Sequence, residues 1–370
     1  MSIYILLALA SITSFLLAYF LIPVVIETAQ KKGIFDLPDA RKQHTQPTPP
    51  LGGIAIFLGM AGSMLLWGDA ATFELIRFPF LAMLFMFFVG LKDDLLEMKA
   101  LKKLAIQVSL ASLVAFGGLR ISSLNGFIGI HELPTWIQYA LTIFFIVGVT
   151  NAYNLIDGID GLAGGIASIA GLTFAGLFFS VGDYGFALCA LCMTGALFGF
   201  LKYNFSPAKI FMGDTGSLSV GILLSILAVR LMGQGQLFAE SVIQPEWLAV
   251  WIFAVLAVPM IDITQVMTKR LIEKRSPFSP DRGHVHHMLQ RAGYNHAQAS
   301  MILYGVSLMN ICLIFLGTQA GLTSSAGFVL ILGFALLQLS WLRQLEKSQS
   351  MPVYMQKLGQ ALVVIQSYLF

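Results

Sequence analysis

Residues 3–26 read IYILLALASITSFLLAYFLIPVVI, a stretch without a charged side chain. About 20 consecutive apolar residues are what an α-helix needs to cross the hydrocarbon core of a bilayer. The stretch is longer than the apolar core of a signal peptide, no basic residue precedes it, and no small-residue cleavage site ends it. We therefore interpret it as a retained first transmembrane helix.

The rest of the chain repeats this pattern. Of its 370 residues, 57% are hydrophobic and 11% are charged, whereas about 25% charged residues are usual in a soluble domain. Continuous runs such as Ile302 to Leu316 lack the alternation that strands of a membrane barrel require. The sequence therefore predicts one all-α, polytopic membrane domain over residues 1–370.

Eleven candidate transmembrane spans follow from the apolar runs, near residues 3–26, 51–68, 78–92, 104–120, 134–153, 162–181, 185–201, 216–233, 247–267, 299–318 and 324–342. If the loops alternate sides, one side receives residues 27–50, 93–103, 154–161, 202–216, 268–298 and the tail from 343. Of the 22 Lys and Arg residues, all but Arg77, Arg120 and Arg230 lie on that side or at its membrane edge. The positive-inside rule makes this side cytoplasmic, which predicts a periplasmic amino terminus and a cytoplasmic carboxyl terminus.

The first polar cluster on the predicted cytoplasmic side is Asp93-Asp94, at the end of the third span. Adjacent carboxylates repel each other, and the carboxyl-terminal end of a helix is the unfavourable end for negative charge. Such a pair indicates a bound cation or a proton-transfer role. The alternative is a solvated loop start with lysine partners.

The second cluster is NAYNLIDGIDG, residues 151–161, between the fifth and sixth spans. Asp157 and Asp160 are three residues apart, so a helical turn would place both on one face. A helix cap and turn would explain Asp160 but not the whole set, which also contains Asn154.

The third cluster is KIFMGDTGS, residues 209–217, which opens the eighth span. A helix amino terminus favours phosphate. Carboxylates such as Asp214 near phosphates imply Mg²⁺, which prefers oxygen ligands and usually binds together with substrate phosphates. Taken alone, an ordinary helix cap formed by Asp214 or Thr215 would explain the pattern equally well.

The fourth cluster is SPFSPDRGHVHH, residues 276–287, in the most basic loop. Three histidines would suit a transition metal, but no cysteine accompanies them and the neighbouring acids favour hard cations. With the surrounding Lys and Arg residues, the segment is more typical of a loop that binds diphosphate. The alternative is a solvated basic loop, which leaves the histidines unexplained.

Two weaker candidates complete the set. The first loop contains Arg41, Lys42 and His44 before a Pro- and Gly-rich segment ending at Gly53; it would bind phosphate or anchor the loop at lipid headgroups. Asp262 lies within the ninth span, where an ionisable side chain is costly and usually functional.

With these motifs in order, the sequence resembles the polyprenyl-phosphate N-acetylhexosamine-1-phosphate transferases over nearly all of its spans. The resemblance rests on four motifs: Asp93-Asp94, Asn154-Leu-Ile-Asp157-Gly-Ile-Asp160-Gly, Phe211-Met-Gly-Asp214-Thr-Gly-Ser217 and His284-Val-His286-His287. Residues 276–293 are most similar to members that use UDP-N-acetylglucosamine. One departure is Glu97, where such members often carry a third Asp.

The resemblance implies a reaction. N-acetylglucosamine 1-phosphate would pass from UDP-N-acetylglucosamine to undecaprenyl phosphate, giving undecaprenyl-diphospho-N-acetylglucosamine and UMP. This would be the first membrane step of a cell-envelope polysaccharide, such as the O-antigen or the enterobacterial common antigen. Direct displacement and passage through a phosphorylated aspartate are both compatible with the residues.

The resemblance also implies roles. Asp93, Asp94 and Asp214 are the expected catalytic residues and the expected ligands of Mg²⁺, with Mn²⁺ as a substitute, and Asp93 would deprotonate the acceptor. Asp160 and Phe211 would hold the uracil. The other expected substrate-binding residues are Asn154, Asp157, Lys103, Arg282, His284, His286 and His287.

The expected partners are a UDP-N-acetylhexosamine, undecaprenyl phosphate and the lipid bilayer of the bacterial inner membrane, without nucleic acid, and homodimerisation is an open alternative. Another UDP-N-acetylhexosamine would serve the same chemistry. A transporter would explain the spans, but its acidic sites should lie near the middle of the membrane. A membrane scaffold would explain the topology but not the polar clusters.

Overall fold

A computed structural model describes residues 2–35, 47–276 and 283–348, and within them the chain is all-α. No β-strand forms across these residues. The helices are α1 (Ile3–Lys32), α2 (Gly52–Trp67), α3 (Ala70–Leu95), α4 (Ala100–Phe116), α5 (Thr135–Ile156), α6 (Leu162–Ser180), α7 (Tyr184–Asn204), α8 (Gly213–Met232), α9 (Leu248–Val255), α10 (Ala257–Ile272), α11 (Val285–Arg291), α12 (His296–Gln319) and α13 (Ser324–Ser348).

Each predicted span coincides with a helix or with a bent pair of helices. In the described part of the chain, 8 helices are long and apolar enough to cross a membrane, and the pair formed by α9 and α10 raises the number to 9. The other two predicted spans are the shorter helices α2, of 16 residues, and α4, of 17 residues. The predicted all-α, multi-pass membrane architecture is confirmed.

Helix α3 begins earlier than the predicted start at residue 78. The Asp69 side chain accepts a hydrogen bond from the Thr72 amide at 2.8 Å and so caps the helix. Thr72, Glu74 and Arg77 interrupt the apolar residues of the first turns, which is why the apolar run alone placed the start too late. Arg77 therefore lies inside α3, not at its end.

The predicted ninth span is two helices, α9 and α10, whose axes differ by 67°. The break falls at Leu256. Pro259 has no N–H to donate to the Val255 carbonyl four residues earlier, and a proline in this position disrupts a continuous helix. The bend directs α10, which carries Asp262, towards the short helix α11.

Helix α8 is the centre of the bundle. Every residue from Thr215 to Met232 except Arg230 is buried, and α8 packs against α2, α3, α5 and α6. A helix that is apolar on all sides is stable only when other helices surround it. Its amino terminus at Gly213 is therefore held in place by neighbouring elements, and the candidate site forms around it.

Candidate active site

The Asp94 carboxylate caps the amino terminus of α8. One oxygen accepts from the Asp214 amide at 2.8 Å, and the other accepts from the Thr215 amide at 2.9 Å and the Thr215 hydroxyl at 2.5 Å. The first amides of a helix have no partner within the helix, and a carboxylate there is also favoured by the helix dipole. The last turn of α3 is thereby attached to the first turn of α8.

Gly90 permits this close approach of α3 and α8. A Cβ atom at this position would collide with the main chain of Asp214 and Thr215. Because backbone atoms cannot swing aside as the end of a flexible side chain can, any larger residue at Gly90 would separate the two helices. Gly90 lies one helical turn before Asp94, so the contact and the cap support the same junction.

The Lys103 ammonium lies between two carboxylates. It donates hydrogen bonds to Asp93 and to Asp214, which come from α3 and α8. The three side chains are 18%, 12% and 27% exposed, respectively, so all remain accessible to a ligand. Adjacent carboxylates were expected to repel each other, and the structure shows how each is compensated. The Lys103 cation compensates Asp93, and the α8 amides compensate Asp94.

Asn154 joins α5 to this group. Its amide nitrogen donates to Asp214 at 2.8 Å and to the Ser217 hydroxyl at 2.9 Å. One turn earlier on α5, Asn151 donates to Gln107 of α4 at 2.6 Å. The Asn151–Gln107 contact ties together the two helices that carry Asn154 and Lys103.

The segment 49–53 holds the loop before α8. The Phe211 amide donates to the Pro49 carbonyl, and the Gly52 and Gly53 amides donate to the carbonyls of Phe211 and Met212, each at 2.9 Å. The backbone of Phe211 is thus fixed beside the site while its ring is half-buried. Arg41, Lys42 and His44 fall outside the described residues.

Asp157 and Asp160 do not share a helical face, so that expectation was wrong. Helix α5 ends at Ile156, and Asp157 is already non-helical with φ −77° and ψ 59°. The Asp157 carboxylate makes no hydrogen bond with any described residue. Burial, together with the charges of Asp214, Asp94 and Asp160, raises the pKa of Asp157 to about 8.

Asp160 is held by the protein on both carboxylate oxygens. One lies 3.1 Å from His296 Nδ1 of α12, and the other accepts from the Ala208 amide at 3.1 Å. Burial alone would raise the pKa of Asp160, but these hydrogen bonds and the His296 charge lower it below the ordinary value. The Ser300 hydroxyl also donates to the Asp160 carbonyl at 2.9 Å, so α12 supports this turn.

The three clustered histidines surround the start of α11. The rings of His284 and His286 are nearly parallel, 9° apart with centroids at 5.6 Å, and the rings of His286 and His287 are 4.3 Å apart. A Cβ at Gly158 would collide with the His286 ring, so this glycine allows the histidine loop to contact the turn after α5. Arg282 falls outside the described residues.

The His286 ring is buried, and its Nδ1 has no hydrogen-bond partner among the described residues. Burial and the neighbouring histidines lower its pKa well below the ordinary value, so the ring is neutral near pH 7. Burial also lowers the pKa of His287, although its contact with Gln290 opposes that shift. Across the described residues, no group of three or more His, Cys, Asp or Glu side chains is arranged to hold a metal ion.

The structure thus brings together Asp93, Lys103, Asn154 and Asp214 by direct contact, and connects Asp94 to them through α8. The contacts of His296, Gln107 and Ser300 with site elements were not predicted. His296 is a lone histidine at the start of an apolar helix, and no local spacing pairs it with an acid 136 residues earlier. Asn151 and Ser217 lay inside two of the motifs quoted above, and their place in those motifs was the reason to consider them.

Comparison with known proteins places this constellation in a family. The chain is 35% identical to the probable undecaprenyl-phosphate N-acetylglucosaminyl 1-phosphate transferase of Bacillus subtilis (strain 168), over 80% of each chain. The profile of glycosyl transferase family 4 matches residues 76–232. The chain belongs to glycosyl transferase family 4. The resemblance predicted from the four motifs is confirmed.

Two further relatives are similar over most of their length. The chain is 34% identical to the decaprenyl-phosphate N-acetylglucosaminephosphotransferase of Mycobacterium tuberculosis (strain ATCC 25618 / H37Rv), over 80% of this chain and 79% of that protein. It is 29% identical to the undecaprenyl-phosphate alpha-N-acetylglucosaminyl 1-phosphate transferase of Escherichia coli (strain K12), over 75% and 74%. The region matched by the glycosyl transferase family 4 profile contains the Asp93–Lys103–Asp214 group and ends before the histidines.

Proposed function

We propose that this protein transfers N-acetylglucosamine 1-phosphate from UDP-N-acetylglucosamine to undecaprenyl phosphate, releasing UMP. The observation that carries the proposal is the Lys103 ammonium between Asp93 and Asp214 at the amino terminus of α8. Two acids that share one cation suit a reaction between two phosphate groups, because the cation can turn to the phosphates and the acids can bind a metal or accept a proton. The names of the relatives support both the sugar and the lipid class.

In the proposed reaction, an oxygen of the lipid phosphate attacks the phosphorus that carries the sugar. The bond from that phosphorus to the bridging oxygen breaks, and UMP leaves with that oxygen. Asp93 accepts the proton of a singly ionised lipid phosphate, and Lys103 moves from its two carboxylates to the charge that develops on the phosphates. Positioning and charge stabilisation supply most of the catalysis in such transfers.

A divalent cation, Mg²⁺ or Mn²⁺ in its place, fits these residues. Asp93 and Asp214 offer carboxylate oxygens that already gather around one cation, Lys103, and Asp157 adds a carboxylate that no described residue hydrogen-bonds. The lack of a complete protein-only site among the described residues suits Mg²⁺, which usually takes one or two carboxylates and completes its shell with water and substrate phosphates. When bound, the cation would neutralise charge on the diphosphate. We assign it to Asp214 and Asp93, with Asp94 retained as the cap of α8.

The nucleotide and sugar are assigned to the loops around this centre. We retain Phe211 and Asp160 as the residues that contact the uracil ring, and His296 orients the Asp160 carboxylate. Asn154 and Asp157 face the same group of acids, and the histidines are assigned to the diphosphate or the sugar. A UDP-sugar whose ring differs from N-acetylglucosamine at one carbon would make most of the same contacts with the protein.

An apolar groove of about 760 Å³ suits the lipid acceptor. It lies between α10, α11 and α13, and its walls include Phe253, Ile261, Leu332, Leu336 and Leu339. Its polar lining contains Lys269, Arg291 and Arg343, of which the first two pair with Glu273 and Glu346, and Gly283 lines it directly before the first histidine. An apolar polyprenyl chain would lie along the walls with its phosphate at the end near Gly283 and the histidines.

The proposed location is the inner membrane, with the site on the cytoplasmic face. The excess of Lys and Arg residues in loops on that side supports the assignment, because the same loops supply Lys103, Asp157 and the histidines. UDP-sugars are made in the cytoplasm, so a donor site on this face needs no transport of substrate.

The proposal is tested with purified protein in detergent by measuring UMP release from UDP-N-acetylglucosamine. We expect release only when undecaprenyl phosphate and Mg²⁺ are both present, and we expect none when a chelator is added. UDP-N-acetylgalactosamine and UDP-glucose serve as matched donors that fix the sugar. A protein that binds these compounds but releases no UMP under any condition would favour the transporter or scaffold alternatives.

A further inference from the structure

Asp262 is a buried carboxylate outside the group of acids around α8. It lies on α10, past the bend, and is 1% exposed. Its two oxygens meet the start of α11: one lies 2.7 Å from His284 Nδ1, and the other accepts from the Val285 amide at 2.8 Å. One side chain of α10 therefore fixes both the backbone and the first ring of the histidine segment.

Gln265 extends this connection. Its amide nitrogen lies 3.3 Å from an Asp262 oxygen and 3.3 Å from the Gly283 carbonyl. A buried carboxylate is costly unless hydrogen bonds and opposite charge compensate it, and here three donors approach it. Two of these donors, His284 and Val285, belong to the histidine segment, so the compensation of Asp262 depends on the position of that segment.

The contact with Asp262 determines which His284 nitrogen can meet a ligand. A carboxylate beside Nδ1 holds the proton there, which leaves Nε2, at the far edge of the ring, for other contacts. The two neighbouring histidines have weaker supports in the described part of the chain: His287 Nδ1 lies 3.2 Å from Gln290, and His286 Nδ1 has no partner there. His284 has a charged partner, Asp262.

His284 in turn orients the rest of the cluster. Its ring lies parallel to that of His286, and the His286 ring lies against Gly158 in the turn that carries Asp157. A displaced His284 would therefore also shift the loop after α5, because the His286 ring lies between the two. This chain of contacts connects Asp262 to the acids around α8 without Asp262 lying among them.

We propose that Asp262 is a positioning residue: it fixes the tautomer and orientation of His284 so that Nε2 contacts the diphosphate of the nucleotide-sugar. The proposal rests on the proposed function for its ligand. Asp262 itself touches no substrate, and its effect on the reaction passes through His284. Outer partners that orient a functional histidine typically change activity about 10- to 100-fold when removed.

A double-mutant cycle tests this coupling. We compare kcat and KM for UDP-N-acetylglucosamine in the wild type, Asp262→Asn, His284→Gln and the double variant. We expect each single variant to lose about 10- to 100-fold in kcat/KM, and the double variant to be no worse than His284→Gln alone. An Asp262→Asn effect of the same factor in both backgrounds would overturn the proposal, as would full activity of Asp262→Asn.

Asp183→Asn is the matched control. Asp183 is also a buried carboxylate with a charged partner, Arg230 at 2.9 Å, but it lies at the opposite end of α8 from Asp214. Asp183→Asn should change kcat/KM by the same factor in the wild type and in His284→Gln, as expected for independent sites. If Asp262→Asn does not yield folded protein, Gln265→Leu replaces it, with a several-fold loss expected in the wild-type background and none in His284→Gln.

A second readout does not depend on activity. In protein labelled with ¹⁵N-histidine, the nuclear magnetic resonance signals of His284, assigned through their absence in His284→Gln, should show the proton on Nδ1 in the neutral ring. Asp262→Asn should shift this tautomer towards Nε2–H, and an unchanged tautomer would contradict the proposal. If the wild type releases no UMP but the tautomer shift occurs, the proposed function fails while the positioning of His284 by Asp262 stands.

Discussion

Asp94 and Thr215 form a two-point contact: a single carboxylate oxygen of Asp94 accepts from both the amide and the hydroxyl of Thr215, at 2.9 and 2.5 Å. Thr215 opens the helix at the centre of the bundle, and its predecessor Asp214 contacts Lys103 and Asn154. The direction of the Asp214 side chain is therefore set by an acid on a different helix.

Asp94→Asn should weaken this junction, because the amide that replaces one oxygen would place a donor against main-chain donors. An unsatisfied buried group costs about 1–3 kcal/mol, so we expect a lower melting temperature and at least a tenfold lower rate of UMP release. Asp69→Asn is the control, since Asp69 caps α3 through the Thr72 amide and asparagine caps equally well. Wild-type activity in Asp94→Asn would show that the junction is not needed.

Lys103→Met should remove the cation that Asp93 and Asp214 share. The two carboxylates would then repel each other, and the phosphates would lose a charged donor. Removal of one such preorganised donor typically costs about 10²- to 10³-fold in kcat, and that loss is expected here. Lys102→Met changes an exposed neighbour and should leave the rate within twofold; equal losses in both variants would contradict a specific role for Lys103.

Gly158→Ala should separate the histidine loop from the turn after α5. The added Cβ would meet the His286 ring, which is buried and has little room to move. We expect about a tenfold or greater loss of transfer activity with only a modest change in melting temperature. Gly148→Ala, within α5, adds a Cβ that meets no atom within 4 Å and should be active. Similar activity of the two variants would place His286 away from Gly158.

The raised pKa of Asp157 predicts a pH dependence of stability. In the folded protein the carboxyl keeps its proton up to about pH 8, whereas its ordinary pKa is 3.8. Between these values the folded state binds more protons than the unfolded state, so the free energy of unfolding decreases as pH rises. With a chelator present, the wild-type melting temperature should fall relative to that of Asp157→Asn between pH 5 and pH 8.5. A constant difference between the two proteins would contradict the raised pKa.

The membrane architecture was predictable because each span leaves a long apolar run in the sequence. The break between α9 and α10 was not, since Val250 to Val258 are apolar throughout and Pro259 alone does not distinguish a kink from a full break. The true start of α3 was also missed, because capping by Asp69 extends the helix into a stretch where Thr72, Glu74 and Arg77 interrupt the apolar run.

The motifs identified most residues of the candidate site but not which partner each of them contacts. Asp93 and Asp94 are adjacent, yet successive residues of a helix point about 100° apart, so one meets Lys103 and the other meets α8. Asp157 and Asp160 were expected on one face because their spacing fits a helix, but α5 ends before both. The contacts of Asp262 with His284 and of Asp160 with His296 join distant parts of the chain, which local spacing does not reveal.

In the proposed reaction a phosphate moves with the sugar from the nucleotide to the lipid. The direct measurement uses UDP-N-acetylglucosamine labelled with ³²P at the phosphate attached to the sugar, with purified protein, Mg²⁺ and undecaprenyl phosphate. We expect the label to pass into the lipid fraction in a one-to-one ratio with unlabelled UMP, and Asp214→Asn to abolish the transfer. Release of labelled UDP, with the sugar alone on the lipid, would contradict it.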